Sequence, residues 1–147
     1  MSDDALPLVH VDDDLVVIDK PAGLLSVPGR GPDKADCAAS RVQARFADAL
    51  VVHRLDMGTS GLLVFGRGPA AQRALSMAFE QRLTEKRYQA LVAGWPAQAE
   101  GRIDLPLICD WPNRPRQMVS HTVGKPSLTL WQRLEAHALG ARLALEP

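Results

Sequence analysis

The residues best suited to chemistry lie together in His53-Arg54-Leu55-Asp56-Met57-Gly58-Thr59-Ser60-Gly61. The cluster sits between two apolar runs, Leu50-Val51-Val52 and Leu62-Leu63-Val64-Phe65, both of which read as strands. If the first strand continues through the cluster, side chains alternate with period two. Arg54 and Asp56 then project to one side, and His53 and Leu55 to the other. An arginine two positions from an aspartate can hold its carboxylate ionised and oriented. Gly58 and Gly61 permit sharp turns that would place that carboxylate at a strand end, open to a cleft. A carboxylate in such a place can act as nucleophile or general base. The same residues also fit a surface ion pair beside a β-turn, an arrangement that is common and weak.

Other chemistries are poorly served. Gly66-Arg67-Gly68-Pro69-Ala70-Ala71 matches the G-x-G-x-x-A dinucleotide pattern, with Glu85 at a tolerable distance for a ribose contact. The elements before it form no repeating βαβ series, so a dinucleotide cofactor is set aside. His10, His53, His121 and His137 share no metal-ligand spacing, and Cys37 and Cys109 form no C-x-x-C. Ser60 lacks the G-x-S-x-G elbow of a hydrolase. Neither a metal nor a cofactor is expected. Trp111 is followed by Arg114 and Arg116 in a proline-rich loop, and an aromatic beside arginines is what single-stranded RNA recognition uses.

The elements that must position these residues follow from local pattern. Residues 1–9 read as a loose acidic tail. Leu15-Val16-Val17-Ile18 reads as a strand ended by the turn chemistry of Lys20-Pro21-Ala22-Gly23. Asp36 suits the cap of a helix running to about Phe46. Pro69 suits the first turn of a second helix, with Ala71, Leu75, Ala78 and Phe79 on its inner face. Tyr88–Ala93, Leu128–Leu134 and Ala141–Leu145 read as strands, and residues 106–117 as an ordered loop. Strands outnumber helices and their connections vary, which implies an α+β fold in one domain over residues 10–147.

The chain has 147 residues, 46% hydrophobic and 23% charged, as expected of a globular domain with a core. No apolar run approaches the roughly 20 residues of a membrane span. From the acidic N-terminus no secretory signal is expected, and two cysteines suit a reducing cytoplasm. Zero net charge conceals an asymmetry. Six aspartates and no basic residue fall in residues 1–19, which leaves seventeen basic against eleven acidic residues in the body. Thirteen of the seventeen are arginine, the better residue for forked phosphate contacts. Neutrality therefore does not exclude RNA.

His53-Arg54-Leu55-Asp56 followed by Thr59-Ser60-Gly61 resembles the signature of the RluA-type pseudouridine synthases. Asp19-Lys20-Pro21-Ala22-Gly23-Leu24 resembles that family's Lys-Pro-x-Gly-Leu motif, and Lys86-Arg87-Tyr88 its Lys-x-Tyr motif, in the same order. Ser26-Val27-Pro28-Gly29, residues 105–115 and Gly124-Lys125-Pro126 resemble the founding subgroup.

The resemblance implies a fold and a reaction. The fold is the pseudouridine synthase fold, a mixed, mostly antiparallel sheet with flanking helices. The reaction turns uridine in RNA into pseudouridine: the glycosidic bond breaks, the uracil rotates, and carbon 5 joins the ribose. Asp56 falls on the essential aspartate, which attacks C1′ or deprotonates C2′. Arg54 would fill the gap left by the flipped nucleotide, and Tyr88 would stack on the uracil. His53, Thr59, Arg114 and Arg116 complete the expected RNA contacts. The implied partners are a tRNA anticodon arm, a 23S rRNA stem-loop, or both. The family's carboxylate partner is a later arginine in a Thr-Gly-Arg-x-His-Gln-Leu-Arg segment, which the sequence does not reach by Pro147. The expectation is thus a domain shortened at its C-terminus. The alternative is a non-catalytic RNA-binding remnant, with Arg82, Lys86, Arg87 and Lys125 also free to meet phosphates.

Overall fold

The computed structural model describes residues 6–147, so residues 1–5 of the expected acidic tail lie outside the described residues. Contacts divide the chain into two compact units, one ending at Thr84 and the other spanning Glu85–Pro147. Each is built on a four-stranded sheet, and every strand pair of the described residues is antiparallel.

The first unit contains β1 (Leu8–Val11), β2 (Leu15–Lys20), α1 (Ala38–Arg45), β3 (Ala49–Val51), β4 (Gly61–Arg67) and α2 (Gly68–Glu80). Its sheet runs β1-β2-β4-β3. Residues 8 and 9, expected in the loose tail, already belong to β1. The turn into β2 is held by Asp12, whose Oδ1 accepts the amides of Asp14 and Leu15 at 2.8 and 2.9 Å. One aspartate of the acidic head thus serves as a turn residue.

Along β2, Val16, Ile18 and Lys20 are buried while the alternate residues are not. Across the ladder Ile18 meets Leu63 and Val16 meets Phe65, all almost fully buried. Each such side chain contributes about 1.5–3 kcal/mol by leaving water. Val42, Ala38 and Ala39 of α1 are also buried.

The cap of α1 differs from expectation. Asp36 spends its carboxylate on a forked pair with Arg41, at 2.8 and 2.7 Å. Cys37 takes the cap instead: its Sγ accepts the Ser40 amide, and Ser40 Oγ accepts the Cys37 amide. The helix therefore starts at Ala38.

Gly66 explains the dinucleotide-like pattern without a ligand. A Cβ there would lie 2.6 Å from the backbone nitrogen of Gln72, so α2 can pack this closely only over glycine. Pro69 stands in the first turn of α2, as expected, and Ala71, Leu75, Ala78 and Phe79 are half-buried.

The second unit contains β5 (Tyr88–Ala93), β6 (Glu100–Asp104), β7 (Leu107–Cys109), β8 (Gln117–Val119), β9 (Leu128–His137) and β10 (Gly140–Glu146). Its main sheet runs β5-β10-β9-β6, and β7 and β8 form a separate hairpin. The hairpin replaces the loop expected over 106–117, with a single 3-10 turn at Trp111–Asn113 between its strands. One face of the main sheet carries the buried Ala141 and Leu143; Leu91, Leu128 and Leu130 are exposed on the other.

Candidate active site

β3 stops at Val51, so the strand does not continue through the polar cluster as a ladder. Its alternation survives nonetheless. His53 is half-buried and Leu55 buried, while Arg54 and Asp56 are exposed. The departing chain is tied down by α2. Gln72 Nε2 donates to the Val51 carbonyl at 2.9 Å, and the His53 ring lies on Phe79. His53 Nε2 accepts the Val64 amide at 3.1 Å. In a continuing ladder that amide would face Val52, so the imidazole caps the donor that the strand abandons.

Asp56 sits at the start of the turn that follows. Its carbonyl accepts the Thr59 amide at 3.0 Å. Gly61 takes the left-handed region as β4 begins, at φ 124°, whereas Gly58 does not take it. The proposed Arg54–Asp56 ion pair is not formed: among the described residues no ion pair or side-chain hydrogen bond joins them. Both side chains point to solvent, and the turn is held by its backbone instead.

Two residues supply that hold, neither of them among the expected site residues, and Lys20, expected in the turn after the strand, is instead its last buried residue. Ser26 is buried, and its Oγ both donates to the Leu55 carbonyl at 2.5 Å and accepts the Leu55 amide at 3.0 Å. Lys20 is fully buried, and its Nζ donates to the carbonyls of Pro21, Leu24 and Met57 at 3.0, 2.7 and 3.3 Å. Gly23, at φ 90°, brings its own amide to the Met57 carbonyl at 2.7 Å. Burial pushes the Lys20 ammonium below the ordinary lysine range, and the nearby Asp56 charge opposes that shift. One signal was available: Val16, Ile18 and Lys20 share a period-two face, so the lysine follows two core residues inward.

The remaining expected site residues lie in the second unit. Tyr88 opens β5, half-buried, opposite Leu145 of β10. Arg114 and Arg116 are exposed in the β7–β8 hairpin. The Arg114 guanidinium lies 4.6 Å from the Trp111 ring centre and donates to the Trp111 carbonyl at 3.0 Å. The pair thus presents a cation stacked on an aromatic face. Among the described residues no group of three or more His, Cys, Asp or Glu is placed to hold a metal ion, and no helix is long and apolar enough to cross a membrane.

A family model described as RNA pseudouridylate synthase matches residues 14–147. The chain belongs to this family. The RNA pseudouridylate synthase match takes in both clamping residues, Lys20 and Ser26, as well as Asp56 and Tyr88. Among curated relatives, the chain is 50% identical over 140 residues to a Vibrio vulnificus protein named dual-specificity RNA pseudouridine synthase RluA, covering 94% of the chain and 56% of the relative. It is 47% identical over 143 residues to the protein of that name from Escherichia coli K12, covering 97% and 65%. The chain therefore spans between about half and two thirds of the length of these relatives, within the RluA-type branch of the pseudouridylate synthases. Among solved structures, human RNA pseudouridylate synthase domain containing 1 superposes with a TM-score of 0.77 at 24% identity, over 100% of this chain and 61% of that one. Human RNA pseudouridylate synthase domain containing 4 gives 0.74 at 22%, over 96% and 58%. These likenesses bear out the α+β pseudouridine synthase fold, with antiparallel sheets and flanking helices.

Proposed function

We propose that the protein isomerises specific uridines in structured RNA to pseudouridine, with Asp56 as its catalytic residue. The observation that carries the reading is the state of Asp56. Its carboxylate is exposed and carries no hydrogen bond among the described residues, while the backbone on both sides of it is fixed by buried groups. A free carboxylate on a fixed turn suits attack on, or deprotonation of, a ribose presented from solvent.

The other roles fit the same reading. Arg54, exposed two positions before Asp56, would enter the space left when a uridine leaves its stack. His53 and Thr59, the other expected RNA contacts of this turn, are half-buried and also hold its backbone through the Val64 amide and the Asp56 carbonyl. Tyr88 offers an aromatic ring for the extruded uracil, and Arg114 and Arg116 offer phosphate contacts. The targets are a tRNA anticodon arm, a 23S rRNA stem-loop, or both, met in the cytoplasm, where the free Cys37 and Cys109 stay reduced.

The test is incubation of the chain with tRNA anticodon stem-loops and large-subunit rRNA fragments, followed by carbodiimide primer extension to map pseudouridine. Product at a defined uridine supports the reading. Salt-sensitive binding without product supports a non-catalytic RNA-binding domain instead.

A further inference from the structure

The geometry points to Ser26 as a positioning residue for Asp56; the inference rests on the proposed synthase reading of Asp56. The Leu55 carbonyl and the Asp56 amide belong to one planar peptide unit. A hydrogen bond to that carbonyl therefore fixes the plane from which the Asp56 side chain departs. Ser26 Oγ makes that bond, and the same oxygen accepts the Leu55 amide on the other side of the residue. One hydroxyl thus grips both main-chain groups of Leu55, 29 positions away in sequence.

Ser26 is itself held. Its carbonyl accepts the Ala39 amide at 3.1 Å, and the preceding Leu25 carbonyl accepts the Ala38 amide at 2.7 Å. Ala38 and Ala39 open α1, where amides have no partner within the helix. The first turn of α1 therefore anchors Leu25 and Ser26, Ser26 anchors Leu55, and Leu55 carries Asp56. On the far side the Met57 carbonyl is taken by Gly23 and Lys20. Only a small group that both donates and accepts can fill the Ser26 position. Alanine would leave a buried amide and carbonyl unpaired, and cysteine is a weak partner of nearly the same shape.

The test compares Ser26→Ala, Ser26→Cys and Ser26→Thr in the 147-residue chain. Amide hydrogen exchange is followed at Leu55, with Val16 and Ile18 as core references. Pseudouridine formation is measured on an anticodon stem-loop with kcat and KM separated. Ser26→Ala and Ser26→Cys should lose Leu55 protection while the core amides keep theirs. Their kcat should fall by about tenfold or more at a KM within about twofold, as misplacement of a reacting group implies. Ser26→Thr, which keeps the hydroxyl, should restore both. Ser26→Cys guards against an Ala variant that fails to fold. Wild-type Leu55 protection in Ser26→Cys, or an unchanged kcat with Leu55 protection lost, overturns the inference. A wild-type chain that makes no product overturns the synthase reading instead, and the Leu55 exchange then decides the clamp by itself.

Discussion

The imidazole of His53 lies flat on the ring of Phe79, with centroids 4.3 Å apart and planes 17° from parallel. The same imidazole accepts the Val64 amide. Through these contacts α2 and β4 together determine where the chain leaves the sheet to carry Arg54 and Asp56. His53→Ala would remove the stack and leave the Val64 amide without its acceptor. The expected loss is about 1–3 kcal/mol of folding stability, read as a lower urea midpoint with the slope unchanged. An unchanged midpoint would mean that the ring is not part of the frame.

Lys20 makes a second case. Burial disfavours its charge, yet three carbonyls surround its ammonium. Lys20→Met keeps the apolar stem and strips the donors from Pro21, Leu24 and Met57. Stability should fall by about 1–3 kcal/mol, because the part-buried Pro21 and Leu24 carbonyls lose the lysine donor while Met57 keeps only the Gly23 amide. Chemical denaturation checks this, and a variant as stable as the parent would reverse the balance.

Much of this frame was legible in local sequence, because β-branched and leucine runs mark β2, β4, β5, β9 and β10. What was hidden has physical causes. β6, Glu100–Asp104, is mostly polar and exposed, so no apolar period betrays it. Asp36 is the better cap by type, but Arg41 sits within reach of its carboxylate and Cys37 takes the cap. Asp56 stood out by residue type and spacing. Its clamps did not, since the bond from Ser26 to Leu55 and that from Lys20 to Met57 join positions 29 and 37 apart.

Acid stability should carry the mark of Asp12. The hydrogen bond from His10, with those from the Asp14 and Leu15 amides, lowers its carboxyl from 3.8 to about 2. A carboxyl held lower in the fold than in the unfolded chain stabilises above its unfolded value, and that contribution is lost as pH falls through the folded one. Asp12→Asn should therefore flatten the stability profile between about pH 4 and pH 2. Parallel profiles for parent and variant in that window would refute the assignment.

Tyr88 is expected to act through its ring. Its hydroxyl makes no hydrogen bond among the described residues, and the ring is half-buried on β5. Tyr88→Phe should keep most of the pseudouridine yield, and Tyr88→Ala should lose about tenfold or more, given that base stacking contributes about 1–3 kcal/mol. Equal losses in the two variants would point to the hydroxyl.

In the proposed reaction the Asp56 carboxylate performs the chemistry. Asp56→Asn breaks no hydrogen bond but removes the charge that favours the buried Lys20 ammonium, so it should cost at most about 1 kcal/mol of stability and leave the chain folded. The decisive measurement is carbodiimide primer extension on an anticodon stem-loop treated with the parent or with Asp56→Asn, the variant's melting curve being recorded alongside. Product is expected from the parent and none from Asp56→Asn, whose melting curve should stay cooperative and lie within a few degrees of the parent's. Pseudouridine formed at the parental rate by Asp56→Asn would contradict this reading.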